Sequence, residues 1–233
     1  MALDLPQHEE STIDEPPRDM MYSPSQAKGL ILSGQNSFGD PGASLTWGIG
    51  GSKNGVVAIG REGEKMVGKF LNDYANRHQG VRVLHSIEWP GSKGDTDHML
   101  IIGNLIIIID AKRWKAKRKY SVTPRGAIHR GTVAFPEGKV KMIPALQAWR
   151  KTMGKGVSFV GVVCVAQKEV FVPYDKNWSK APFKLVTIEK LEEFLDNVIA
   201  RHPKAKEQTN AKTLMVPITR VIKPYNPREG LIS

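Results

Sequence analysis

The pattern of apolar and polar positions is centred on two short apolar runs that flank Gly103-Asn104. Residues 99–102 and 105–109 contain apolar side chains only. Glycine and asparagine adopt positive φ at low cost, so the dipeptide between the runs predicts the turn of a β-hairpin. Two antiparallel strands would then extend from this turn, each ending in charged residues.

Other stretches predict the elements that surround this hairpin. A helical apolar period begins at residue 62, and residues 81–89 alternate as a strand. Residues 144–153 predict a short helix, residues 157–166 a strand buried on both faces, and residues 188–202 an amphipathic helix. This order of elements predicts an α/β fold with a mixed central β-sheet flanked by helices.

Composition divides the chain into three parts. Residues 1–45 are acidic, rich in Pro, Ser and Gly, and without an apolar period, which predicts a disordered N-terminal arm. Residues 46–203 carry the periodic segments and form the predicted folded domain. Residues 204–233 form a basic, proline-containing C-terminal extension. A role for either extension in recruiting a protein partner stays open beside a solvated tail.

The charge of the chain indicates an anionic partner. The formal net charge of the 233 residues is +11. Residues 1–20 hold six acids and one base, a net charge of −5, so the remainder carries +16. A surface of that sign attracts phosphate polyanions, and nucleic acid is the first candidate.

Cysteine content and hydropathy bear on the compartment. The single cysteine, Cys164, lies within an apolar run, which predicts a buried thiol and a reducing environment. No basic and apolar leader opens the sequence, and the longest apolar run, residues 105–109, is far too short to span a bilayer. We therefore expect a cytoplasmic protein with no membrane partner.

Charged residues gather at the open end of the predicted hairpin. With the turn as its centre, Asp97 lies opposite Asp110 and Asp95 opposite Lys112, all on one face. Two neighbouring carboxylates repel, and a Mg²⁺ or Mn²⁺ ion bound by Asp97 and Asp110 would remove that conflict. Lys112 would then orient a water molecule or stabilise charge on a phosphate. The alternative is a surface ion-pair cluster at a strand end.

Glu64 has two interpretations. It falls three residues before Val67, near the start of the predicted helix and close to its apolar stripe. An acid in the first turn is favoured by the helix dipole and needs no other role. Alternatively, its carboxylate faces inward as a third metal ligand or a water-orienting base. The position alone leaves both interpretations open.

A basic run follows the hairpin. Residues 112–119 contain six bases, and the side chains predicted to bind nucleic acid are Arg113, Trp114, Lys115, Lys117, Arg118 and Lys119. The bases would hold phosphates, while Trp114 would pack within the protein or stack on a base. A solvated, lysine-rich strand edge that discourages aggregation is the alternative.

The order of these residues resembles the nuclease-related domain, known as NERD. The pattern of that family is Gly-x-x-Gly-Glu at a helix start, Asp-His before an apolar strand, Asp/Glu-x-Lys, and a later Pro-x-x-Gln. The first element is matched loosely and the others well. The matching residues are, in order, Gly60 and Gly63-Glu64, Asp97-His98, Asp110-Ala111-Lys112, and Pro144 with Gln147. The resemblance covers about residues 60–170.

The resemblance implies a fold, an activity and a set of site residues. The NERD family is assigned to the PD-(D/E)xK nuclease-like superfamily, which implies a restriction-endonuclease-like core and a Mg²⁺-dependent nuclease that hydrolyses phosphodiester bonds. It carries over Glu64, Asp97, Asp110 and Lys112 as catalytic residues, the three acids among them as metal ligands, and Gln147 as an accessory residue. DNA is favoured over RNA as the partner, and a homodimer stays open.

Two other functions compete with this one. A nucleic-acid-binding module would keep the same fold without cleaving its ligand. A scaffold would act through its terminal extensions.

Overall fold

The computed structural model describes residues 36–43, 55–91, 94–136, 140–172 and 180–203. The strands there are β1 (Ser37–Phe38), β2 (Arg82–Glu88), β3 (Asp95–Ile102), β4 (Leu105–Lys112), β5 (Tyr120–Val122), β6 (Ile128–Arg130), β7 (Val133–Ala134), β8 (Ser158–Val165) and β9 (Lys184–Thr187). The α-helices are α1 (Gly55–Arg77), α2 (Met142–Met153) and α3 (Leu191–Ala200), and a 3₁₀ turn at Ile188–Lys190 leads into α3. No helix in these ranges has the length and apolar character that crossing a membrane requires.

A six-stranded mixed sheet lies at the centre, in the order β1-β2-β3-β4-β8-β9. β2, β3 and β4 are antiparallel neighbours, whereas β1 is parallel to β2, and β8 and β9 continue the sheet in parallel with β4. β8 lies between two parallel strands, which explains why its sequence is almost continuously apolar. The predicted α/β fold with a mixed sheet flanked by helices is confirmed.

The two faces of the sheet are covered by different elements. On one face, α1 and α3 bury side chains such as Val67, Leu71 and Leu191 against the sheet. On the other face, α2 buries Leu146 and Trp149, and a small sheet of β5, β6 and β7 packs beside it. Burial on both faces makes the central strands a rigid platform for the residues at their ends.

The central hairpin has the predicted turn and register. Its pairs run from Ile102–Leu105 to His98–Ile109, and Gly103 has a φ of 54° at the turn. Beyond His98–Ile109 the ladder between β3 and β4 ends, although β4 continues to Lys112 in parallel pairing with β8. Asp97 and Asp110 therefore lie just past the last pair of this ladder.

The predicted partner of Asp95 is wrong. Asp95 pairs with Glu88 of β2 on one side, and on the other side the β3–β4 ladder ends before it reaches Asp95 and Lys112. The reason is the end of the β3–β4 ladder, because register counted from the turn applies only while the two strands stay paired.

Three further elements differ from the prediction. α1 begins at Gly55, seven residues before the predicted start, so glycines within the preceding segment are tolerated in a helix. β1 lies inside the predicted disordered arm, where Phe38 is buried and the strand pairs with β2. β9 was not predicted. Residues 1–35 and 204–233, which make up most of the two predicted extensions, lie outside the described residues.

Helix α1 packs against Pro41, three residues after β1, and this contact predicts an effect on stability. A Cβ atom at Gly68 would come within 2.3 Å of Pro41 Cγ and 3.3 Å of the His98 ring. Glycine to alanine in a helix normally stabilises by about 0.5–1 kcal/mol. Here we expect Gly68→Ala to lower the free energy of unfolding by about 1–3 kcal/mol, because Pro41 has to move.

Urea denaturation of Gly68→Ala measures this effect. Lys69→Ala is the matched control, because Lys69 is the exposed neighbour on the same helix, and its stability should stay within about 0.5 kcal/mol of wild type. A Gly68→Ala protein more stable than wild type would contradict the contact between α1 and Pro41.

Candidate active site

Three charged residues come together where β4 ends. The Lys112 Nζ donates a hydrogen bond to Asp110 Oδ1 at 2.6 Å and to the Ala111 carbonyl at 3.3 Å. The Ala111 N–H in turn donates to Asp97 Oδ2 at 2.7 Å. Asp97, Asp110 and Lys112, which the sequence predicted to share a site, therefore belong to one hydrogen-bonded cluster.

The end of the β3–β4 ladder explains how Asp97 enters the cluster. A backbone N–H on a buried strand needs an acceptor, and the ladder supplies none to Ala111 past the His98–Ile109 pair. The carboxylate of Asp97 accepts this bond instead. A side chain thus replaces one bond of the ladder and is held beside the end of β4.

Burial raises the pKa of the aspartate and lowers that of the lysine, whereas the neighbouring acids raise both. Asp97 is 9% exposed. Its burial, and then the charges of Glu64 and Asp110, raise the pKa of the Asp97 carboxyl well above its ordinary value. Burial alone would lower the pKa of Lys112, but the charges of Asp110 and Asp97 raise it above its ordinary value. The acids thus keep the lysine charged while they repel one another.

Glu64 approaches the cluster from α1 and is 5% exposed. Because α1 begins at Gly55, Glu64 lies in the third turn, and the first turn contains no acid. The helix-dipole interpretation of Glu64 is therefore wrong. The structure places Glu64 inward, since it is buried and its charge is, after burial, the largest cause of the raised pKa of Asp97. Its role as a ligand or a base stays a prediction.

Gly63 allows α1 to come this close to the end of β4. A Cβ atom at Gly63 would lie 3.2 Å from the Arg113 Cβ and 3.8 Å from the Ala166 Cβ. Arg113 is fixed there by an ion pair with Glu62 and by a hydrogen bond from its Nε to Gln167 Oε1 at 3.2 Å. The glycine that precedes Glu64 in the family pattern thus has a packing role, which is to bring the helix over the strand end.

The donor set suits a hard divalent cation held by two carboxylates. Asp110 Oδ2 is buried and has no hydrogen-bond partner among the described residues, which is costly for a carboxylate oxygen. A cavity of about 20 Å³ is lined by Asp97 and Asp110 and by Lys141 and Met142 at the start of α2. That volume accommodates one particle the size of a water molecule.

The number of acids limits the kind of metal site. No group of three or more His, Cys, Asp or Glu side chains in the described part of the chain is placed to hold a metal ion. Mg²⁺ commonly binds one or two protein carboxylates and completes its coordination with water and phosphate oxygens. Asp97 and Asp110 fit that arrangement, whereas direct ligation by Glu64 stays a prediction.

Trp114 and Gln147 are two of the predicted residues that lie outside the cluster. Trp114 is buried and packs against Tyr120 and Phe135, with ring centroids 4.8 Å and 5.6 Å away. A ring enclosed in this way has no face for a base, so the predicted nucleic-acid contact of Trp114 is replaced by a packing role. Gln147 is exposed on α2 and does not line the cavity, and its accessory role stays a prediction.

The exposed bases that follow β4 line a groove of about 510 Å³. The residues that form this basic groove are Lys115, Lys117, Arg118, Lys119, Arg130 and Gly131. The basic run thus contributes four of its bases, whereas Arg113 is held in the contacts with Glu62 and Gln167. Arg130 was missed because only the pairing of β5 with β6, in which Tyr120 lies opposite Arg130, brings it to the groove.

A buried histidine pair lies on the other face of β3. His85 and His98 contact each other through their Nδ1 atoms at 2.8 Å, and His85 Nε2 lies 2.8 Å from Asn72 Oδ1 on α1. Burial lowers the pKa of His85 to about 4 and that of His98 well below its ordinary value. The pair is therefore neutral near pH 7 and links α1 to the sheet, on the face opposite Asp97.

Comparison with known proteins supports the family resemblance. Residues 59–154 match the family model of NERD, the nuclease-related domain. The matched range contains Glu64, Asp97, Asp110 and Lys112, and it confirms the predicted resemblance. No curated protein and no solved structure matches the chain. The match indicates a nuclease-related function.

Repulsion within the cluster predicts that Asp97→Asn stabilises the protein when divalent cations are absent. The amide oxygen can still accept the Ala111 N–H bond, while one negative charge is removed. The folded state raises the pKa of the Asp97 carboxyl. Folded wild type therefore binds more protons than the unfolded chain at pH values above the ordinary aspartate pKa of about 3.9. The stability of wild type therefore falls relative to the variant as pH rises from that value.

Urea denaturation in EDTA between about pH 4 and pH 8 tests this dependence. The stability gap between Asp97→Asn and wild type should widen with pH. Asp73→Asn, which alters an exposed carboxylate on α1, is the control and should show no widening gap. A gap for Asp97→Asn that stays constant or narrows would contradict the electrostatic account.

Proposed function

We propose that this protein is a divalent-metal-dependent nuclease that hydrolyses phosphodiester bonds in DNA. The observation that carries the proposal is the cluster at the end of β4, where the buried Asp110 Oδ2 has no donor among the described residues. Asp97, also buried, and the ion-paired Lys112 complete the cluster. The match of residues 59–154 to the nuclease-related domain supports the same class of chemistry.

The acids would hold the cation. Asp97 and Asp110 line the small cavity and would bind Mg²⁺ or Mn²⁺, with Glu64 as the third acid close to them. A bound cation of this kind relieves carboxylate repulsion and polarises a phosphoryl oxygen. The bond from the Ala111 N–H fixes the orientation of the Asp97 carboxylate before any ligand arrives.

Lys112 would act on the substrate and on the attacking water. Two of its three N–H bonds are directed at Asp110 Oδ1 and the Ala111 carbonyl, which leaves a third for a water molecule or a phosphate oxygen. A positive charge fixed in a partly buried site stabilises the negative charge that develops on the phosphate during hydrolysis. The neighbouring acids keep this charge in place by raising the pKa of Lys112.

The basic groove would hold the nucleic acid backbone next to this cluster. Lys115 follows Lys112 by three residues, so their Cα atoms lie at most about 11 Å apart. A strand whose phosphates bind the exposed bases of the groove would therefore pass close to the acidic cluster. The groove supplies affinity for phosphate, and the cluster supplies the chemistry.

Cleavage of plasmid and linear DNA in Mg²⁺, Mn²⁺ or EDTA tests the proposal. We expect cleavage in Mg²⁺ or Mn²⁺, no cleavage in EDTA, and a rate lowered by about 10²–10³-fold in Lys112→Ala, because a charge aimed at the reacting phosphate is lost. Lys190→Ala is the matched control, since Lys190 is an exposed lysine paired with Glu193 and should leave the rate unchanged.

Two results would contradict the proposal. Equal cleavage by wild type and Lys112→Ala would indicate a contaminating nuclease. DNA binding by wild type that is sensitive to salt, unchanged by EDTA and accompanied by no cleavage would instead favour the non-cleaving binding module.

A further inference from the structure

An exposed phenylalanine lies beside the basic groove and has no role in the proposed cleavage. Phe171 is 61% exposed, whereas its neighbours Val170 and Val172 pack against the hydrophobic core. Alternation along this extended segment therefore directs the ring outward. An exposed aromatic ring next to several cations is a combination that nucleic-acid-binding surfaces use.

Backbone hydrogen bonds fix the position of Phe171. Its N–H donates to the Arg118 carbonyl at 3.1 Å, and its carbonyl accepts from the Tyr120 N–H at 2.9 Å. The Lys117 N–H donates to the Glu169 carbonyl at 2.8 Å, just before this pair. The segment is thus tied to the chain that carries the groove, and a ligand would not have to order it.

The groove supplies cations next to the Phe171 ring. Lys119 Nζ lies 5.9 Å from the centroid of the Phe171 ring, so a cation and an aromatic ring stand next to each other. The guanidinium of Arg130 is supported by the Phe135 ring, 4.8 Å away. Lys117 of the groove forms a long ion pair of 3.9 Å with Glu169, and both side chains are exposed. This pair therefore neutralises little of the positive charge of the groove.

We infer that the basic groove binds single-stranded nucleic acid, with Phe171 stacking on an unpaired base while Lys119, Arg130 and the other cations hold the adjacent phosphates. Bases in a duplex stack on one another and leave no face free for a ring, whereas single strands bind cationic grooves lined with aromatic side chains. Phe171 thus takes the stacking role that the sequence had suggested for Trp114.

This inference rests on the proposed nuclease function only for its consequence. If the cluster cleaves DNA, the preferred substrate is single-stranded DNA or a single-stranded segment of a longer molecule. The binding itself depends on the groove and on Phe171, so it can be measured without cleavage.

Fluorescence anisotropy in EDTA with the full chain tests the binding. The probes are a labelled single-stranded DNA of mixed sequence and the duplex formed from it. Wild type should bind the single strand more tightly. Phe171→Ala should weaken single-strand binding at least about fivefold and leave duplex binding unchanged. Phe171→Trp, which keeps an aromatic ring, should retain the single-strand affinity of wild type. Arg130→Gln should weaken binding to both probes. It should also reduce the slope of log affinity against log salt concentration by about one.

Several outcomes would overturn the inference: equal affinity for duplex and single strand, no binding to either, or a Phe171→Ala protein that binds the single strand like wild type. Thermal unfolding confirms that each variant is folded. If single-strand binding depends on Phe171 but no cleavage depends on Lys112, the nuclease proposal is wrong and this inference holds. If cleavage depends on Lys112 but Phe171→Ala binds the single strand like wild type, only this inference is wrong.

Discussion

The hydrogen bond from the Ala111 N–H to the Asp97 carboxylate is the interaction on which the site depends. It forms because the ladder between β3 and β4 ends at His98–Ile109 while β4 continues in parallel with β8. The unpaired N–H takes a side-chain acceptor, and this draws a buried carboxylate next to Asp110. The repulsion that results is offset in part by Lys112, which bonds to Asp110 at 2.6 Å.

The remainder of the fold keeps these charges together. Apolar strands covered by helices on one face, and by a helix and a small sheet on the other, hold the end of β4 in place. Gly63 then lets α1 bring Glu64 over that end. The cluster of neighbouring acids is therefore built on regular elements, which suits a site whose side chains must be positioned before substrate binds.

The parts of this arrangement that depend on local sequence were predictable, and the parts that depend on distant pairing were not. The turn at Gly103-Asn104 sets the register of the hairpin up to His98–Ile109, which predicted that Asp97 and Asp110 lie near each other. The bond from the Ala111 N–H to Asp97, beyond the end of the ladder, was not predicted. Glu64 stayed ambiguous because the helix begins within a glycine-containing segment of weak propensity. Arg130 and Phe171 reach the groove only through pairing of β5 with β6 and of Lys119 with Phe171, which no local pattern encodes.

In the proposed function, Asp97 and Asp110 form the binding site of a divalent cation. The most direct test is the anomalous difference density of crystals grown with Mn²⁺, in wild type and in Asp110→Asn. We expect a peak between the carboxylates of Asp97 and Asp110 in wild type and its loss in the variant. A wild-type structure with no peak there, and with Lys112 still the counter-ion of Asp110, would contradict the proposal.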